Sequence, residues 1–166
     1  RDLEGLSMVQ VAEKMDCDTA EAAIRLYRDS ETSVILHSME ESDVEVIAGG
    51  RWVAVGSDGT SIKVKGTLSS GRPHPRSYGT FPRFLARYVR EKGVVPLEEA
   101  IRKMTLLPAS RLGLTQRGRV APGQWADLVV FDPATVVDTA TFEAPHSYPS
   151  GIIHVMVNGT PVVKEG

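Results

Sequence analysis

The 166-residue sequence predicts an α/β fold that ends in a β-rich tail, and three observations carry that expectation. Two short apolar runs, Ser33–His37 and Trp52–Gly56, read as buried strands on either side of one helix. A series of amphipathic helices follows between Phe81 and Leu112. From Arg117 onward the pattern changes to short strands and tight turns.

The elements come in this order. Residues 7–29 show broken helical periodicity through Val11, Met15, Ala22, Ile24 and Leu26, with Ser7 as a cap and a split near Asp16-Cys17-Asp18. Ser33-Val34-Ile35-Leu36-His37 is the first strand. Glu40-Glu41-Ser42-Asp43 opens a helix with acids at its positive end, and Gly49-Gly50 closes it. Trp52-Val53-Ala54-Val55-Gly56 is the second strand. Strand, helix and strand over this span make a βαβ unit, which implies a parallel pair. Two parallel strands cannot bury both sheet faces, so the pair requires neighbours that the chain does not supply.

Residues 66–79, with Gly66, Gly71, Gly79, Pro73 and Pro75, read as a long loop. Phe81 to Glu91 presents Phe84, Leu85, Tyr88 and Val89 on one face between arginines, and Gly93 stops it. Pro96 starts a helix over Leu97 to Met104, and Leu106 to Leu112 forms another. Asp127–Phe131 and Ile152–Val157 read as strands. Asn158-Gly159 is a hairpin turn, with Pro161-Val162-Val163 returning. The organisation is α/β to about residue 115, then a β meander over 116–166.

Composition narrows the function classes. Hydrophobic residues at 42% and charged residues at 24% are those of a folded domain. A net charge of -2 and a pI near 6.1 favour neither a nucleic-acid nor an anionic-membrane partner. No apolar stretch approaches the roughly 18 residues of a membrane span. Cys17 is the single cysteine, so no internal disulfide forms, which fits the cytoplasm. Arg1-Asp2-Leu3-Glu4-Gly5 carries neither a signal core nor an initiator Met, and the expectation is a protein whose start lies elsewhere.

Three segments could carry chemistry. Gly56-Ser57-Asp58-Gly59 follows the second strand, at the edge where parallel α/β folds place active-site groups. A carboxylate there can bind a metal or move a proton, or else simply hold an Asx-type turn. Arg72-Pro73-His74-Pro75-Arg76-Ser77-Tyr78 packs Arg, His and Tyr into a proline-stiffened loop. It suits bidentate recognition of a carboxylate, or a solvated surface. Arg117–Pro133 is explained by turn, strand and turn.

Taken together these segments resemble a known family. Gly118-Arg119-Val120 with Pro122-Gly123, then Ala126-Asp127-Leu128-Val129-Val130-Phe131-Asp132 and Val157-Asn158-Gly159, resemble the tail of the amidohydrolase superfamily. His74–Arg83, with Lys103-Met104-Thr105, Pro108-Ala109 and the stretch from Phe131 through Val137-Asp138 to Ala140-Thr141-Phe142, narrows the resemblance to the N-acyl-D-amino-acid deacylase branch. The resemblance implies the last strands and helices of a metal-dependent (β/α)8 barrel over residues 1–115, holding strands seven and eight, then part of a small β-sandwich over 116–166. It implies a zinc hydrolase that cleaves the amide bond of an N-acyl-D-amino acid, a small-molecule substrate. Asp58 matches the strand-eight aspartate that approaches zinc and serves as general base and acid. Arg76 is assigned to the substrate carboxylate on charge and position, with His74 and Tyr78 lining the same pocket.

The sequence also departs from the family pattern. The first-strand His-x-His pair, the bridging ligand and the histidines of strands five and six are absent. The expectation is a chain unable to hold zinc or turn over substrate alone, completed by the missing N-terminal part of the same protein or by another subunit. His154 reads as structural and His146 as exposed in a Pro-flanked loop, while His37, at the end of its strand, has a position open to the site edge and is not assigned a site role. Cys17 lies in a helical region and is no metal ligand. Gly66 to Arg72 is longer than the family pattern suggests, which leaves the path from Asp58 to Arg76 open. Two other readings stand beside this one. One is a dihydroorotase- or hydantoinase-like cyclic amidase, which needs no His74–Arg83 loop; the other is a non-catalytic fragment or subunit.

Overall fold

The computed structural model describes residues 2–29, 34–36, 38–69 and 71–166, and the chain divides into two compact units, Arg1–Ser38 and Met39–Gly166. In the first unit, α1 (Met8–Lys14) and α2 (Thr19–Asp29) pack through Val11, Ala12 and Ala22. Ser7 closes the start of α1 as a capping box. Its Oγ accepts from the Gln10 amide at 3.3 Å, while Gln10 Oε1 accepts from the Ser7 amide at 2.8 Å. Asp16 takes a left-handed conformation between the helices, and Asp18 Oδ1 accepts from the Glu21 amide at 2.8 Å. The predicted break near Asp16-Cys17-Asp18 is present.

The second unit carries α3 (Glu41–Gly49), α4 (Arg76–Arg83), α5 (Leu97–Met104), α6 (Leu106–Arg111) and three strands. Past α4 the helix continues over Phe84–Glu91 with π-helical winding. Pro82 lies in the last turn of α4 and has no amide to donate, and the segment after it closes with an i→i−5 bond from Lys92 N–H to Arg87 C=O at 2.9 Å. This helix delivers Phe84, Leu85 and Tyr88 to a core shared with Ala48, Val95, Ala100 and Val136.

The strands are β1 (Leu128–Phe131), β2 (Ile152–Val157) and β3 (Thr160–Lys164), antiparallel in the order β1-β2-β3. Asn158 and Gly159, at φ 51° and 80°, turn β2 into β3 as the sequence predicts. Phe131 and Ile152 pack on the helical core. Arg90 donates to the carbonyls of Pro133 at 3.0 Å and Val136 at 2.8 Å, tying the helix to the segment after β1.

Two sequence expectations require correction. The first is the βαβ unit. Ser33 and His37 lie outside the described residues, and Val34–Leu36 and Val53–Gly56 have no strand pairing. Extended backbone becomes a strand only when a neighbour accepts its ladder, and the described residues offer none. Residues 50–55 satisfy their backbone groups another way. The ammonium of Lys103, wholly buried, donates to the carbonyls of Gly50 and of Val53, the latter at 3.0 Å. The Lys103 carbonyl in turn accepts from the Val55 amide at 3.1 Å, and Arg102 donates to the Arg51 carbonyl at 2.6 Å. The second correction is the loop over 66–79, which ends early because α4 begins at Arg76. Prolines are tolerated in the first turn of a helix, where no amide partner is needed, so Pro73 and Pro75 did not mark loop beyond residue 75.

Two expectations follow for stability. Lys103→Ala opens a cavity and takes the ammonium partner from the Val53 carbonyl, while the Gly50 carbonyl keeps the Val53 amide, so it should destabilise the chain by about 3 kcal/mol in denaturant unfolding. Lys103→Met keeps the stem and should recover about a third of that loss. Glu41 is held at about 2 chiefly by its hydrogen bond to Arg87, with Lys92 adding to it. A carboxylate depressed this way contributes stability that is complete above its ordinary value of 4.5 and is lost as the pH falls through about 2. Unfolding free energies measured from pH 7 downward should therefore fall less steeply in Glu41→Gln than in the parent. High salt should narrow the difference, since both partners are over a third exposed.

Candidate active site

The site is built on the junction between residues 57–59 and the start of α4. Asp58 has φ 47°, a left-handed turn position that Asp tolerates. The local turn bond is made by its neighbour: Ser57 Oγ accepts from the Gly59 amide at 3.3 Å. A Cβ on Gly59 would stand 2.9 Å from Ser77 Cα, so this turn abuts the first turn of α4 and leaves no room for a side chain. The Asp58 carboxylate is 85% exposed and points along the helix start, with Oδ2 2.9 Å from Nη2 of Arg76.

Arg76 is held from the backbone side. Its amide donates to His74 Nδ1 at 3.0 Å, and its carbonyl accepts from Thr80 Oγ1 at 2.9 Å. The side chain stays 46% exposed. Its Nη2 stands closest to Asp58, and the guanidinium carries further N–H donors.

The two remaining expected site residues are used for support. The His74 ring meets Phe142 edge-on at 5.0 Å, and its Nδ1 is committed to the Arg76 amide. The Tyr78 hydroxyl lies 2.9 Å from His146 Nδ1, and its ring contacts the rings of His146 and Tyr148. Burial pushes the Tyr78 hydroxyl above its ordinary value, with Tyr148 adding to the effect. Farther along α4, Arg83 pairs with Asp138 at 3.2 Å. The face of α4 is thus fixed to residues 138–148.

His146 corrects an expectation. It is half-buried rather than exposed, and both ring nitrogens are engaged, Nε2 lying 2.9 Å from the Gly71 carbonyl. No short-range sequence signal marks it, because its partners lie 68 and 75 residues away. Lys103 was also missed as a supporting residue, although its spacing of three from Ala100 puts it on the buried face of α5. His154 lies in β2, where Nδ1 accepts from the Glu165 amide at 3.3 Å, a structural use. His37 lies outside the described residues. Cys17 sits between α1 and α2.

Among the described residues no group of three His, Cys, Asp or Glu stands close enough to hold a metal ion. Asp58, 85% exposed, offers one carboxylate to a metal and cannot make a site by itself. None of the described helices is long and apolar enough to cross a membrane.

The profile of the Amidohydrolase family matches residues 45–163. An N-acyl-D-glutamate deacylase of Alcaligenes xylosoxydans xylosoxydans is 44% identical over 161 residues, which is 97% of this chain and 31% of that relative. A D-aminoacylase of the same organism is 50% identical over 131 residues, 79% of this chain and 26% of that one. Among solved structures, N-acyl-D-glutamate deacylase from Bordetella bronchiseptica, complexed with zinc and a phosphonate mimic of the tetrahedral intermediate, superposes with a TM-score of 0.83 and 42% identity. That likeness covers 93% of this chain and 31% of the other. The chain therefore spans 31% and 26% of the lengths of the two curated relatives. A profile match over most of the sequence and a common α/β fold lead to one conclusion: the chain belongs to the amidohydrolase family.

Proposed function

We propose that this chain is part of a zinc-dependent hydrolase that cleaves N-acyl-D-amino acids into a D-amino acid and a carboxylate. The observation that supports the reading is the 2.9 Å approach of Asp58 to Arg76, an accessible carboxylate beside an accessible guanidinium, which we read as proton-transfer group and carboxylate anchor. The names of the relatives, deacylases of N-acyl-D-glutamate and D-aminoacylase, support the substrate class. In this reading residues up to about 115 belong to a (β/α)8 barrel and 116–166 to a β-sandwich. Trp52–Gly56 takes strand form when a strand from the rest of the protein lies beside it. The exposed Trp52 and Val53 side chains suit such a neighbour. The remaining metal ligands come from the rest of the same protein or from another subunit, and the cytoplasm is the proposed location.

Zinc, when bound, would polarise the amide carbonyl and acidify the attacking water. Asp58 takes the proton of that water and returns it to the leaving nitrogen, so one carboxylate acts as base and then as acid. Its 85% exposure leaves the carboxylate accessible for that transfer. Arg76 receives the substrate carboxylate on the donors that Asp58 does not use, which fixes the amide relative to Asp58. His74 and Tyr78 shape the wall behind Arg76.

Two variants of the zinc-loaded full-length protein test these roles. Asp58→Asn should lower kcat by about 10²–10⁴ with little change in KM. Arg76→Lys should raise KM about tenfold for substrates with a free α-carboxylate and leave amidated analogues unaffected. An unchanged KM in Arg76→Lys would remove the carboxylate-anchor role. The 166-residue chain alone should show no turnover in the presence of zinc, because one carboxylate does not make the site.

A further inference from the structure

We propose that His146 is a positioning residue: its imidazole clasps the chain on either side of Arg76, at Gly71 in the loop and at Tyr78 in α4, and sets the guanidinium for a carboxylate ligand. This inference rests on the deacylase reading for the identity of the ligand, and on contacts within Met39–Gly166 for the clasp itself.

The chemistry of the contacts assigns the ring. The Gly71 carbonyl can only accept, so Nε2, 2.9 Å away, carries the proton and donates. In the neutral ring Nδ1 is then the acceptor, and the Tyr78 hydroxyl, 2.9 Å away, donates to it. One rigid ring therefore fixes the backbone at residue 71 and the side chain at residue 78. Arg76 lies between those anchors, on a stretch that Pro73 and Pro75 already restrict. Phe142, four residues before His146, adds a third point by packing edge-on against His74, whose Nδ1 accepts from the Arg76 amide. Tyr148 adds a fourth by contacting the Tyr78 ring.

The segment 142–148 thus contacts the chain before and after Arg76, whose own side chain remains 46% exposed. A cation held on a rigid backbone needs less ordering when a carboxylate arrives, and that difference appears in binding before it appears in chemistry. The clasp contributes to KM through Arg76 and leaves Asp58, which belongs to a different turn, to the chemical step.

Two measurements test it. The first is imidazole ¹⁵N NMR on the zinc-loaded full-length protein. His146 should show a protonated Nε2 and an unprotonated, hydrogen-bonded Nδ1, and Tyr78→Phe should move the Nδ1 signal toward that of a free acceptor nitrogen. A ring averaging freely between tautomers, or an Nδ1 signal indifferent to Tyr78→Phe, overturns the clasp. The second is kinetics with an N-acyl-D-glutamate. His146→Ala should raise KM about tenfold while kcat falls less than about twofold, and Tyr78→Phe added to it should cost little more. His146→Gln, which keeps a donor for Gly71, and His146→Asn, which keeps an acceptor for Tyr78, should each recover part of the loss. An unchanged KM in His146→Ala, or a fall in kcat alone, overturns the positioning role even where the NMR pattern holds. If the parent protein shows no turnover of any N-acyl-D-amino acid, the deacylase reading fails, and the NMR result still decides the clasp.

Discussion

The structure depends on a buried ammonium. Lys103 has no exposed surface, and burial lowers its affinity for a proton, with Glu99 opposing that trend. A charge in that position persists only when oxygen atoms surround it. The carbonyls of Gly50 and Val53 supply them, and they belong to a stretch with no strand partner among the described residues. The lysine therefore offsets its own desolvation and gives the Val53 carbonyl a partner, while the Gly50 carbonyl also accepts from the Val53 amide. Because its main-chain carbonyl also receives the Val55 amide, three positions within six residues are fixed from a single residue on α5. The turn that holds Asp58 begins two residues later, so the carboxylate inherits its place from a helix nearly fifty residues ahead in the chain.

A comparable dependence runs in the other direction. Arg76 stands at the start of α4, and α4 leans on residues 138–148 through Arg83 and Asp138 and through Tyr78 and His146. The tail segment between β1 and β2 thus acts on the site from outside it. Arg90 reinforces the same arrangement from the following helix by capping the carbonyls of Pro133 and Val136. The pairing of Asp58 with Arg76 is where the two lines of support meet. One line comes through Lys103, the other through the aromatic and imidazole contacts of 142–148.

What the sequence disclosed follows the range of the interactions involved. Ser7 with Gln10, Gly50 after α3, Pro96 before α5 and Asn158-Gly159 at the hairpin act within a few residues, and each was readable in place. The helix start at Arg76 was hidden because Pro73 and Pro75 signal a turn and a helix start with equal force. Strand character at Trp52–Gly56 was read from apolar content, but a strand also needs a neighbour, and neighbours are a property of the whole protein. Lys103 was legible in principle, as a charge on the apolar side of α5 between Ala100 and Met104. His146 was not, since nothing near it in the chain distinguishes it from a histidine on the surface.

The polarity of the rim carries the last step. Exposed ion pairs contribute little to stability, so the Asp58 and Arg76 side chains are not placed together to hold the fold. The fold is instead arranged to hold them: Gly59 leaves no atom to spare against Ser77, and His74 spends a ring nitrogen on the Arg76 amide. Close-packed and hydrogen-bonded neighbours flank two charged groups that are left accessible. Such an arrangement gains nothing from a closed ion pair and is suited to a ligand that brings its own carboxylate, because the guanidinium can accept it without first being moved.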